Sequence, residues 1–200
     1  MAKERLKSPR ARLFVALDLP DHVRTGLAEW GGRALLDPAL RRVPAESLHL
    51  TLAFLGYRPE KEIEAIGSLL AGCVAPAPLI ELRGPAPRPP RGRARFFALP
   101  AISPGAEQIQ GQVGEALAAG GFYEREKRQY WPHLTVARVR PEGRGSRRPR
   151  PVEDPPGALP EALREPFYGV RMSFYRSELK PSGARYVPLA QFELPGGGRQ

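Results

Sequence analysis

Short apolar runs separated by polar, proline-rich or glycine-rich breaks recur along the chain, and their spacing alternates between strand and helix periods. Arg12-Leu13-Phe14-Val15-Ala16-Leu17 reads as a strand ended by Pro20 and Asp21. Val23, Leu27, Trp30, Ala34 and Leu35 then recur every three or four residues, so a helix is expected with Asp21 as its N-cap, stopping before Pro38. Leu48 to Leu55, closed by Gly56, forms the next expected strand. Helical spacing returns over 60–74 through Ile63, Ile66, Leu69 and Leu70, and Leu79 to Leu82 resembles a further strand.

The segment PAPRPPRGR at 85–93 is expected to be loop, because proline lacks the amide donor that extends a sheet. After it the order repeats: a strand at 95–99, a helix at 107–119 ended by Gly120-Gly121, and a strand at 134–139. Phe14 to His49 is 35 positions and Phe97 to His133 is 36, and both endpoints open a His-Leu-Thr tripeptide. An internal duplication explains this most economically. Residues 141–157, with Arg144, Arg147, Arg148 and Arg150 among Gly, Ser and Pro, read as a flexible loop. A short helix near 160–165 and strands near 170–175 and 186–192 complete the pattern, between a mobile basic arm at 1–11 and a tail at 195–200.

Composition narrows the class. Two hundred residues with 42% hydrophobic and 26% charged residues describe a folding chain of one domain or two small lobes. No apolar run approaches the roughly 18 residues of a membrane span, and the basic start is not followed by the apolar core of a secretory signal, so a cytoplasmic protein is expected. Cys73 is the only cysteine, which excludes an internal disulfide and a cysteine-based zinc site; its apolar neighbours Leu69, Leu70 and Val74 make it a buried structural thiol. The net charge of +10 rests on 31 basic residues, 26 of them arginine. This balance points to a polyanion such as RNA, or to a compositional bias without functional meaning.

Two of the three histidines open near-identical peptides, His49-Leu50-Thr51-Leu52-Ala53-Phe54 and His133-Leu134-Thr135-Val136-Ala137-Arg138. In a strand, side chains alternate faces, so His49 and Thr51 share one face, His133 and Thr135 another, and the leucines between them turn to the core. Two imidazoles facing one phosphate suit acid and base work, because an unperturbed pKa of about 6.5 lets one be neutral and the other protonated near neutrality. The hydroxyls can donate to non-bridging oxygens. His22 lacks a threonine two positions later and reads as a surface residue. Metallohydrolase chemistry has no His-Glu-x-x-His or His-x-His here, and a serine hydrolase has no Gly-x-Ser-x-Gly elbow.

The peptides RLFVALDLP (12–20), RVPAESLHLTLAFLG (42–56), WPHLTVARV (131–139) and SFYRSELKPSGARYVPLAQF (173–192) make the chain resemble the 2H phosphoesterases, most closely their RNA 2′,3′-cyclic phosphodiesterase branch. The resemblance implies an α+β fold in a single bilobal domain: duplicated βαβ-type units, two antiparallel sheets flanking a central cleft, helices outside. It implies hydrolysis of a 2′,3′-cyclic phosphate to a 2′-phosphomonoester with no metal or cofactor, His49 acting as proton donor and His133 as proton acceptor. The expected partner is RNA with cyclic phosphate ends, or a small cyclic nucleotide, met by a monomer with no obligatory protein partner.

Phe54 and Arg138 lie five positions after their motif histidines and are candidates to sandwich a base. A regular strand puts an i+5 residue on the opposite face, so the pair requires a bulge, a twist or a strand end. The Tyr130-Trp131-Pro132 lead-in departs from the Arg-Pro more usual in relatives. Other readings are a 2H enzyme acting on another cyclic phosphate such as ADP-ribose cyclic phosphate, a ligase running the reverse reaction to 2′-5′ linkages, and a non-catalytic RNA-binding module.

Overall fold

The computed structural model describes residues 9–180 and 183–197. Strands β1 (Arg10–Asp18), β2 (Leu40–Arg42), β3 (His49–Pro59), β4 (Leu79–Leu82), β5 (Ala86–Arg88), β6 (Phe96–Ile102), β7 (His133–Val139), β8 (Phe167–Tyr168), β9 (Arg171–Lys180) and β10 (Gly183–Glu193) are accompanied by helices α1 (Asp21–Ala34), α2 (Ile63–Ala71) and α3 (Pro104–Ala119). The strands follow one path, β10-β9-β1-β3-β7-β6-β4-β8, with β2 added on β7 and β5 on β6. The described pairings are all antiparallel. No helix among the described residues is long and apolar enough to cross a membrane.

The two halves meet at one pair. β3 and β7 are joined only by Leu50 opposite Leu134, both fully buried, so the sheets of the two lobes are continuous through a narrow joint. Fully burying leucine is worth about 1.5–3 kcal/mol relative to exposure, which makes this joint an apolar anchor beneath the motifs.

The duplication is in register, and the matching position lies one residue from the count made on sequence. Phe14, Ala16, Leu17 and Asp18 of β1 face Phe54, Thr51, Leu50 and His49, while Phe96, Ala98, Leu99 and Pro100 of β6 face Arg138, Thr135, Leu134 and His133. Phe96, not Phe97, is therefore the counterpart of Phe14.

The helices cover the sheet with the residues their spacing selects: Val23, Leu27 and Trp30 from α1, Ile66 and Leu70 from α2, and Ile109, Val113 and Leu117 from α3 are all buried. Several local expectations are corrected. Asp21 is the first helical residue rather than the cap; Pro20 precedes the helix without a side-chain cap, and the Asp21 carboxylate pairs with Arg24. Helix α3 starts at Pro104, capped by the Ser103 hydroxyl, which accepts from the Ala106 amide at 3.2 Å. The expected helix over 60–74 is a 3-10 turn at Glu60–Glu62 followed by α2, and the one near 160–165 is a single 3-10 turn.

Within the expected proline loop, Ala86–Arg88 pairs with β6 as an edge strand, where Pro87 costs no ladder bond on its outer side. Arg10 and Ala11, read as part of the arm, belong to β1, with Ala11 buried; residues 1–8 of the arm and 198–200 of the tail lie outside the described residues. The 141–157 segment is tied down at several points. Pro141 bridges Pro149, and the Asp37 carboxylate accepts from the amides of Glu153 at 2.7 Å and Asp154 at 2.9 Å. Cys73 is buried, and burial pushes its thiol pKa up, as a structural role demands.

Candidate active site

Continuing the antiparallel register one step either side of Leu50–Leu134 sets Thr51 opposite His133 and His49 opposite Thr135. All four side chains then share the face opposite the buried leucines, each histidine beside the other motif's threonine. His49, Thr51, His133 and Thr135 are half-buried, as befits the walls of a cleft.

The i+5 residues reach the same face through matched irregularities. The β1–β3 register shifts between Val15 and Ala16, and the β6–β7 register shifts between Phe97 and Ala98, so Leu52 and Val136 are the extra residues. Leu52-Ala53 and Val136-Ala137 are consecutive buried pairs, followed by exposed Phe54 and exposed Arg138. One bulge in each half thus swings the fifth residue back onto the histidine face. The Phe54 ring also carries the Arg12 guanidinium, 4.7 Å from its centroid.

The histidines have the same inner support. His49 Nδ1–H donates to the Ser47 carbonyl and His133 Nδ1–H to the Trp131 carbonyl, each at 2.8 Å. A carbonyl can only accept, so in both neutral rings the lone pair sits on Nε2. His49 Nε2 accepts from the Thr51 hydroxyl at 3.1 Å. This is a tautomer fixed by backbone, the usual device for aiming one imidazole nitrogen.

Their electrostatic surroundings differ. Burial lowers the His49 pKa to about 4, opposed by the Ser47 carbonyl and by Asp18, and assisted by Arg138 and His133. Burial also lowers the His133 pKa, opposed by the Trp131 carbonyl and assisted by Arg88 and Arg138. Asp18 is buried next to His49 on β1 and accepts from Tyr175 Oη at 2.8 Å, Ser173 Oγ at 2.7 Å and Arg171 Nε at 3.2 Å. Its counterpart beside His133 is Pro100, so only His49 has a carboxylate neighbour across the ladder.

Aromatic rings wall both histidines. Phe14 lies 5.0 Å and Tyr186 5.2 Å from the His49 ring, centroid to centroid. Trp131 stacks on His133 at 4.2 Å and 15°, with Phe96 at 6.0 Å, and the Arg88 guanidinium lies 3.6 Å from the Trp131 centroid. Asp18, Arg88, Trp131, Tyr175 and Tyr186 were not singled out as site residues from sequence. Asp18 stands out in sequence only as the polar end of the apolar β1 run, and the pairing of β1 with β3 sets it opposite His49. Nothing comparable marks Arg88, whose strand pairing is hidden by the flanking prolines. His22 is exposed on α1. Among the described residues, no group of three His, Cys, Asp or Glu is placed to hold a metal ion.

A family model described as the 2′-5′ RNA ligase superfamily matches residues 19–146, which include both histidine motifs. The RNA 2′,3′-cyclic phosphodiesterase of Thermus thermophilus is 34% identical over 92% of this chain and 91% of that protein. The crystal structure of TT0787 of the same organism matches with a TM-score of 0.73 and 31% identity, covering 92% of this chain and 98% of that one. Escherichia coli LigT complexed with 3′-AMP matches with a TM-score of 0.71 and 26% identity, covering 94% and 99%.

Proposed function

Because the chain belongs to the 2′-5′ RNA ligase superfamily, we propose that it hydrolyses RNA 2′,3′-cyclic phosphate ends to 2′-phosphomonoesters, with His133 as base and His49 as acid. His133 Nε2 takes a proton from the attacking water as its oxygen bonds to phosphorus. His49 Nε2–H gives a proton to the 3′ oxygen as the bond from phosphorus to that oxygen breaks. One proton is taken and one delivered, so the pair ends with its charges exchanged and returns to its starting state through solvent.

The observation that carries the reading is the matched support of the two imidazoles: each Nδ1–H is held at 2.8 Å by the carbonyl two residues earlier, leaving Nε2 for chemistry. Charge supports this division of roles. Asp18 favours the protonated form of His49, whereas His133 is exposed to Arg88 and Arg138, which favour its neutral form. Burial outweighs Asp18 at His49; a phosphate diester beside the ring adds a negative charge and raises its proton affinity.

Thr51 and Thr135 donate to the non-bridging oxygens, and Arg138, whose charge reaches both histidines, offsets the phosphate charge. Phe54 and Arg138 lie four residues to either side of the Leu50–Leu134 joint, at opposite ends of the cleft face, so they do not sandwich one base and each meets a different part of the substrate. This step needs no metal ion. The test is turnover of a defined RNA bearing a 2′,3′-cyclic phosphate, in chelator, with the product read by phosphorus NMR. A 2′-phosphomonoester is expected; a 3′-phosphomonoester, or loss of turnover in chelator, overturns the reading.

A further inference from the structure

Across three strands of the second half and β2, which pairs with them from the first, one register line carries Arg88 on β5, Phe96 on β6, Arg138 on β7 and Arg41 on β2. Residues directly opposite in antiparallel pairs project to the same side, so these four form a transverse row on one face. That face is the cleft face. The Phe96 ring lies against His133, Arg88 lies over Trp131, and Trp131 stacks on His133. Arg42, the next residue on β2, turns the other way toward α1, where its guanidinium lies beside Gly32.

The three arginines of the row are in no ion pair among the described residues. Their situation differs from that of the 141–157 segment. There Glu142 pairs with Arg93 and Arg148, and Arg150 donates to the Pro141 carbonyl at 3.1 Å. Unpaired guanidinium groups interleaved with an aromatic ring on a shared face are the combination that holds a single strand: cations track phosphates and flat rings stack bases. Three strand spacings of about 4.8 Å make the row roughly 14 Å long, the rise of about four stacked nucleotides at 3.4 Å each.

We propose that this row is a binding track for single-stranded RNA, with Arg88 and Arg138 toward the reacting end and Arg41, on the outer strand β2, holding the preceding phosphate. The proposal rests on the function proposed above, and makes polynucleotide ends the preferred substrate over free cyclic nucleotides. The basic hairpin at 141–150 is not the primary capture site.

The test compares kcat/KM on a cyclic mononucleotide with that on an eight-residue single-stranded RNA ending in the same cyclic nucleotide, at two salt concentrations. The wild type should favour the RNA by at least tenfold at low salt, and the preference should shrink as salt rises. Arg41→Gln should cut the ratio of RNA to mononucleotide kcat/KM several-fold and reduce the salt slope by roughly 0.7, the share of one single-strand phosphate left without its cation. Arg41→Lys should restore most of both. Replacing Arg144, Arg147, Arg148 and Arg150 together with Ser should lower the ratio less than Arg41→Gln does.

An unchanged ratio in folded Arg41→Gln overturns the track while leaving the hydrolytic reading intact. A larger loss from the hairpin variant moves capture to the hairpin and also overturns it. If the wild type turns over neither substrate, the hydrolytic reading fails. The track is then judged by fluorescence anisotropy of the same RNA: weaker binding by Arg41→Gln upholds it and equal binding overturns it.

Discussion

The hydroxyl of Tyr130, three residues before the second motif histidine, donates at 2.8 Å to the backbone carbonyl of Thr51 in the first motif. A side chain from one half thereby fixes the backbone of the other beside the single Leu50–Leu134 pair. Burial pushes the Tyr130 phenol well above its ordinary range, so it stays a donor at any working pH. Tyr130→Phe keeps the ring and leaves a carbonyl unsatisfied, which costs about 1–3 kcal/mol. At roughly 2–4 °C per kcal/mol for a chain of this size, thermal unfolding should show a Tm several degrees lower. An unchanged Tm would mean that the bond does not tie the halves together.

Asp37 is the buried clamp of the arginine-rich segment. Its carboxyl pKa lies below the ordinary value, chiefly because of the Asp154 amide, with the Ala39 and Glu153 amides adding to it against burial. A carboxylate lowered in the fold stabilises above its ordinary pKa of 3.8, and that contribution is lost as pH falls through the lowered value. Asp37→Ala should lower the Tm and speed tryptic cleavage between Arg144 and Arg150 several-fold. Wild-type cleavage kinetics would show that the segment is held by its other contacts.

The histidines act in the same direction over a higher pH range. His49 is held at about 4 in the fold against 6.5 when free, so between those values the unfolded chain binds a proton that the folded chain refuses. Its contribution to stability is complete above pH 6.5 and is lost as pH falls from 6.5 toward 4, and the lowered pKa of His133 acts in the same direction. The urea midpoint should therefore drop over this range. His49→Ala should flatten the drop, and an identical slope in the variant would show that His49 does not titrate in this way.

Asp18 should set the working range of the acid. Its charge favours protonated His49, so Asp18→Asn should move the alkaline limb of the kcat profile, which reports the substrate-bound enzyme, to lower pH while leaving the limb due to His133 in place. Asparagine also disturbs the bonds from Ser173 and Arg171, so folding is checked first by circular dichroism. An unmoved alkaline limb in a folded variant would separate Asp18 from the acid.

In the proposed mechanism the threonines make the oxyanion contacts. Thr51→Val and Thr135→Val keep shape and delete a donor, and each should raise the barrier by about 2–4 kcal/mol, seen in kcat more than in KM. Full activity in both variants would reduce the hydroxyls to structural groups.

Much of this site was legible because the chemistry is written twice. The repeated His-Leu-Thr peptides, with aliphatic residues between the reactive ones, specify strand, face and motif without reference to any third element. The requirement for a bulge before Phe54 and Arg138 was also readable, although its position was not, since Leu52-Ala53 and Val136-Ala137 look like ordinary strand residues until their partners are known. Asp18 and Tyr130 were harder: each matters through a residue far away in sequence, reached only by strand pairing or by a side chain crossing between halves. β5 was concealed by its prolines, which propensity reads as loop and which an edge strand tolerates. The joint at Leu50–Leu134 depends on tertiary packing of two similar halves, which no local pattern records.

The central claim is that His49 and His133 divide acid and base work on a cyclic phosphate. Its most direct test is single-turnover hydrolysis of one 2′,3′-cyclic nucleotide by the wild type, His49→Ala and His133→Ala, with each variant shown to be folded. Each substitution should slow the step by roughly 10²- to 10⁴-fold. A folded variant of either histidine that turns over at the wild-type rate would contradict the account.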